Sequence, residues 1–230
     1  MNLIKSKPST PRLSYPRMAA FFRVLNAMMR YVPSRSKYQA DLIVFRKNLF
    51  PGAPEQVQFD GFTLRRAMAH DLHAIKAHPE RFMPEVYRNR LEDGHAVYCA
   101  VQGDEVAAFL WVNFDVFSHL HGTKHEAVLG TLEKDEGCFY DSYTYRQYRG
   151  LGLAPILLNY AAACLANAGV ATLIACVPPS NLSCVVLYQG QGFGAIDVLH
   201  LYQIGSLRQC LRGTRKELTT LNEWIGSCPA

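Results

Sequence analysis

Charge is missing from the middle of this chain. Between Arg149 and Asp197 there is no Lys, Arg, Asp or Glu, so a helix in that interval cannot carry the charged outer face of an ordinary surface helix. Paired cysteines are missing too. The seven cysteines (Cys99, Cys138, Cys164, Cys176, Cys184, Cys210 and Cys228) are scattered, odd in number and set mostly within apolar segments, with no Cys-x-x-Cys. That pattern argues against a zinc ribbon or a thioredoxin-like redox site and fits a reduced, cytoplasmic setting. No apolar run is long enough for a convincing membrane span, and Met1 to Pro8 lacks the apolar core of a secretory signal. The expectation is a soluble protein. At 230 residues it has length for one domain plus an appendage.

The positive charge that is present lies at one end. The first fifty residues carry ten Lys or Arg against Asp41 alone, which leaves the remainder mildly acidic. Nucleic-acid binding would need a recognisable binding motif beside that charge, and none is present. From Pro16 to Val32, the residues Met18, Phe21, Phe22, Leu25, Met28, Met29 and Val32 recur at helical spacing with Arg17, Arg23 and Arg30 between them. This reads as a basic amphipathic helix. Its apolar face could dock on the chain's own domain, join two copies as a homodimer, or rest on a membrane surface.

Strands are marked by β-branched and aromatic runs between turn residues. Leu42 to Leu49 reads as a strand stopped by Pro51-Gly52, and Gln58 to Ala67 as another. Asp71 is a helix N-cap candidate, with short helices over Asp71–Ala77 and Glu85–Glu92. Ala96–Gln102 and Glu105–Phe114 form a hairpin around Gly103-Asp104. The stretch Asp115 to Glu136 reads as a long loop, a feature that is often functional. It contains His119, His121 and His125, but no cysteine or carboxylate pattern completes a metal shell, so no metal is expected.

Next comes a strand over Gly137–Tyr145, the turn Gln147 to Ala154, and an almost unbroken apolar helix to Ala168. A strand, a glycine turn and a helix N-terminus together present free N–H groups to an anion. A dinucleotide fingerprint would need a third glycine where Pro155 stands, and a Walker A loop would need Gly-Lys-Ser/Thr; both are absent. Ala171–Val177 is a buried strand, Asn181 an N-cap for a short helix ending at Gly190, and Gly194–Ile204 a last strand before a polar tail.

Gln147-x-x-Gly150-x-Gly152 followed by Asn181-x-x-Cys184-x-x-Leu187-Tyr188-x-x-x-Gly192-Phe193 resembles the GNAT superfamily of acyl-CoA-dependent N-acyltransferases. The resemblance runs from about Phe62 to Ile204. It implies an α/β (α+β) fold: a mixed, mostly antiparallel twisted sheet with a central splayed parallel strand pair, flanked by helices. The expected divisions are a basic extension at 1–57, the acyltransferase domain at 58–205 and a tail at 206–230. It further implies acetyl-CoA, or another acyl-CoA, as co-substrate. Tyr143 and Thr144 would pair with the pantetheine amides, Arg149, Gly150, Leu151, Gly152, Leu153 and Ala154 would cradle the pyrophosphate, and Gln147 would also bind the cofactor. Asn181 would contact the cofactor arm. Tyr188 would protonate the departing thiolate, and Asp141 would take the proton of the attacking amine, directly or through water. The bland alternatives are a packing role for Tyr188 and a structural carboxylate at Asp141. Cys184 stands where Ala is common in the family and reads as a packing residue.

Three functions follow. The first is acetyl transfer from acetyl-CoA to the primary amine of a small molecule, such as an amino sugar, amino acid or polyamine. The second is transfer of long acyl chains from acyl-CoA or acyl carrier protein, an acidic partner that the basic N-terminal segment would suit. The third is a binding module that keeps the fold without turnover.

Overall fold

The computed structural model describes residues 37–52, 57–68, 70–75, 84–119, 127–204 and 207–227. The helix expected over Pro16–Val32 lies outside these, as do His121 and His125.

The first described strand is β1 (Lys37–Asn48), and a hairpin of β2 (Val57–Phe59) and β3 (Phe62–Arg66) comes next. Asp60 at φ 45° and Gly61 at φ 82° supply the two left-handed residues that so tight a turn requires. The single strand expected over Gln58–Ala67 is therefore two, because an Asp-Gly pair ends one and starts the other. Helices α1 (Asp71–Ala74) and α2 (Pro84–Glu92) precede β4 (Ala96–Gln102) and β5 (Glu105–Asn113). Asp71 is not the N-cap: His70 occupies that position, and Asp71 instead accepts the Met68 N–H and binds Arg65.

The expected loop Asp115–Glu136 contains a ribbon of its own, β6 (Val116–His119) paired with β7 (Ala127–Thr131). Beyond it, β8 (Glu136–Thr144), a 3-10 turn (Arg146–Tyr148), α3 (Leu153–Asn167), β9 (Thr172–Val177), α4 (Leu182–Gly190) and β10 (Gly194–Ile204) come in the expected order. The tail is more structured than its polarity suggests, with β11 (Leu207–Arg212) and α5 (Arg215–Ser227).

These strands form one mixed sheet, ordered β11-β10-β1-β9-β8-β5-β4-β3-β2. Every neighbouring pair is antiparallel except β8 and β9, the parallel pair at the centre. The position of β1 departs from the expected division at residue 57. It pairs Ile43–Asn48 with β9 on one side and Lys37–Arg46 with β10 on the other, inside the sheet. Its apolar residues explain why. Ile43 and Phe45 face the α3–α4 side, Leu42 and Val44 face the opposite side, and all four are buried. A strand apolar on both faces is stable only where both faces are covered.

Three apolar clusters result. The largest packs α3 and α4 on the sheet, through Leu153, Leu157, Leu158, Leu165, Val185 and Tyr188 against Phe45, Phe139 and Leu173. Burying one such side chain contributes about 1.5–3 kcal/mol. The second cluster lies under α1 and α2, with Tyr87, Phe109 and Trp111 at its centre. The third, Leu42, Val44, Ile174, Leu199 and Leu201, is covered in part by Leu132. Helix α3 exposes only Asn159 and Asn167 along its length, and Asn167 accepts the Gly52 N–H at 3.2 Å. The chain after β1 thus runs past the end of the charge-free helix.

Candidate active site

The site begins where β8 leaves β9. The two strands pair in parallel from Glu136↔Thr172 to Phe139↔Ala175, and no pairing between them continues past that point. On its other side β8 keeps its antiparallel bonds with β5 as far as Ala108↔Thr144, with a register shift between Leu110 and Val112. Leu110 faces Ser142 and Val112 faces Phe139, so Tyr140 and Asp141 together oppose Trp111. This is a β-bulge, which bends its strand and sharpens the local twist. Past the bulge, β8 runs on through residues 142–144 beyond the end of its ladder with β9.

The turn that follows is shaped for an anion. Gly150 and Gly152 adopt φ of 80° and 73°, a region costly for residues with a Cβ. Gly152 caps α3 without any side-chain hydrogen bond. Among the described residues, and outside helices and strands, none of the backbone bonds is donated by Gly150, Leu151, Gly152, Leu153 or Ala154. Pro155 has no N–H to leave unsatisfied at this first turn. Free N–H groups and the positive end of a fifteen-residue helix therefore converge on one spot. Braces hold the turn: Tyr148 donates to Glu105 at 2.7 Å and sits edge-on to Phe62. Arg149 donates its Nε–H to the Thr144 carbonyl at 3.1 Å, and its guanidinium lies 5.4 Å from the Tyr143 ring.

A cleft of about 650 Å³ joins these parts. Of the expected donor residues, Tyr143, Thr144, Arg149 and Asn181 line it, as do Gly150, Gly152, Leu153 and Ala154. Gln147 and Leu151 do not. Gln147 is exposed within the 3-10 turn, and Leu151 points outward at 45% exposure. The floor, Ala108 to Leu110 of β5, and the wall formed by Ser183, Cys184, Val186 and Leu187 of α4 went unread in the sequence. Only strand register could have identified the floor. The α4 wall follows from helical spacing after Asn181, whose side chain accepts the Cys184 N–H at 3.4 Å. Burial raises the Cys184 thiol pKa despite the opposing bond with Asn181, so Cys184 meets the cleft as a neutral thiol.

The two expected proton carriers are not on the cleft wall. Tyr188 is 5% exposed, stacked on Phe45 at 5.8 Å and edge-on to Phe193 at 5.0 Å. Burial pushes its phenol pKa well up, so it holds its proton throughout the physiological range. Asp141 lies on the α2 side of the sheet, where Arg90 donates to it at 2.7 Å. A carboxylate so paired is already committed to a cation.

Among the described residues, no group of three or more His, Cys, Asp or Glu is placed to hold a metal ion. No described helix is long and apolar enough to cross a membrane.

With this geometry in view, the chain belongs to the acetyltransferase (GNAT) family, whose sequence pattern matches residues 64–193. Those residues carry its acyltransferase domain. Among solved structures it is similar to a GCN5-related N-acetyltransferase from Sphaerobacter thermophilus, at 17% identity and TM-score 0.52, over 83% of this chain and 57% of that one. A putative acetyltransferase of the GNAT family from Novosphingobium aromaticivorans matches at 17% identity and TM-score 0.50, over 80% of this chain and 70% of that one. These likenesses establish the mixed sheet with its parallel pair. The chain spans little more than half of the Sphaerobacter protein. A search of curated proteins finds no match.

Proposed function

We propose that the chain transfers an acetyl group from acetyl-CoA to the primary amine of a small molecule, such as an amino sugar, amino acid or polyamine. The observation that carries this reading is the juxtaposition of the α3 N-terminus, capped without a side-chain bond, with the stretch of β8 beyond its ladder to β9 along one cleft. The N–H groups of Gly150 to Ala154 suit a pyrophosphate, and the edge of Ser142 to Thr144 suits the pantetheine amides as an added strand does. Asn181 stands at the far wall to meet the same arm.

In the reaction the amine nitrogen bonds to the thioester carbonyl carbon and the carbon–sulfur bond breaks. The nitrogen gives up one proton and the leaving thiolate takes one, so CoA departs as the thiol. Tyr188, which burial keeps neutral, is the proposed donor, although its ring packs on Phe45 behind the cleft wall. A second reading, acyl transfer from a carrier protein's phosphopantetheine, is favoured by the mouth of the cleft. Leu151 and Leu182 are 45% and 53% exposed beside it, and Arg149 is the one cation among the lining residues.

Melting curves with CoA, acetyl-CoA and acyl carrier protein separate these readings, because a ligand that binds only the folded state raises the melting temperature. A rise with acetyl-CoA and none with carrier protein is expected. A rise with carrier protein alone favours the second reading, and no rise with any of the three contradicts both.

A further inference from the structure

We propose that Arg90 and Asp141 form a latch that fixes the β8 edge, which makes both of them positioning residues for the acyl donor. The latch rests on the donor reading above. Tyr140 and Asp141 are the two residues of the bulge at which β8 turns away from β9, and each is held from the α2 side. Arg90, on α2, donates Nη1–H to Asp141 Oδ2 at 2.7 Å. His95, just after α2, places Nδ1 2.7 Å from the Tyr140 hydroxyl. Two adjacent residues of one strand are thus tethered to one neighbouring segment.

Arg90 is built in. Its side chain is 2% exposed, and its guanidinium carbon lies 5.5, 5.2 and 4.8 Å from the ring centroids of Tyr87, Trp111 and Tyr140. Tyr87 and Trp111 are themselves parallel, 5.5 Å apart. So deeply buried, the guanidinium has no water to replace Asp141. The bulge is therefore pinned by a pair that neither member can leave. The consequence lies one to three residues further on, where Ser142, Tyr143 and Thr144 line the cleft. A strand slipped by one residue turns each of its side chains to the other face, and the edge amides move with them. The latch sets which groups of β8 meet the donor's pantetheine arm. It leaves the loop at Gly150–Ala154 untouched.

That separation provides the test. Binding of acetyl-CoA and of adenosine 3′,5′-bisphosphate, which has the nucleotide half alone, is measured by calorimetry on the full chain and on Asp141→Asn, Arg90→Ala and Arg90→Lys. Melting curves confirm folding of each. Asp141→Asn and Arg90→Ala should weaken acetyl-CoA by about tenfold or more, with the bisphosphate changed less than about twofold. Arg90→Lys should fall between them and the unaltered chain, because it restores charge without the fork. Ethylguanidinium should restore acetyl-CoA affinity to Arg90→Ala. Should a folded Asp141→Asn bind acetyl-CoA as the unaltered chain does, the latch is refuted. Equal weakening of both ligands without rescue refutes it also, in favour of a purely structural pair. An unaltered chain that binds neither ligand overturns the donor reading, and the latch with it.

Discussion

On the α3–α4 side of the sheet the fully buried residues described are uncharged: leucines, alanines and the aromatic group Phe45, Tyr188 and Phe193, with the part-buried Lys47 over the Phe193 ring at the margin. On the α1–α2 side the core encloses two ion pairs, Arg65–Asp71 and Arg90–Asp141, among stacked aromatic rings. The uncharged side presents backbone to the cleft through a turn that needs no side chain to hold an anion. The charged side holds the strand whose edge lines that cleft. Packing energy is graded, so loss on the first side should scale with volume removed. A buried ion pair is closer to all-or-none, because removing one member strands the other.

The comparison can be broken most severely at β1, which feeds both sides. A chain started at residue 49 lacks the strand between β9 and β10. It should show no cooperative thermal transition; a normal one would return β1 to an appendage. Phe45→Ala should cost about 3–5 kcal/mol in urea titrations, since Phe45 is fully buried and supports Tyr188.

Asp71→Asn should cost about 2 kcal/mol at pH 7, less than a fully buried pair, because the Arg65 side chain keeps 26% exposure. The pH dependence has a definite sign. Burial opposes the Asp71 charge, but the bonds from Arg65 and the Met68 N–H more than offset it and leave the carboxyl below its usual range. Its stabilisation is present above the ordinary carboxylate pKa and is lost as pH falls through the lowered one. The gap between the unaltered chain and Asp71→Asn should therefore shrink in strong acid, and titrations at pH 7 and pH 2 would reveal it. The smallest effect belongs to Gly150→Ala. Nothing lies within 4 Å of an added Cβ, so only the left-handed backbone resists, at about 1 kcal/mol.

The uncharged side was the more legible in the sequence. The almost unbroken apolar run, Gly152, Asn181 and Gly190 mark α3 and α4 to within a residue, because local backbone demands dominate there. Asp60-Gly61 is a turn pair, but the strand-like composition on both sides of it outweighs that local signal. What could not be read were the meetings of distant segments. Leu42 to Phe45 betray a strand, yet nothing local says that it enters between β9 and β10. Arg90 and Asp141 are fifty-one positions apart, and their contact depends on a bulge that neither residue announces. Tyr188 fits the family motif, but its burial beneath Phe45 follows from that same strand insertion.

The central claim is that the acyl donor lies between the N–H groups of Gly150–Ala154 and the stretch of β8 beyond its ladder to β9. Amide NMR spectra of the chain, titrated with acetyl-CoA, address those N–H groups one by one. Saturable shifts should concentrate at Gly150, Leu151, Gly152, Leu153 and Ala154 and at Ser142, Tyr143 and Thr144. Saturable binding that leaves those amides unmoved while shifting others would contradict the account.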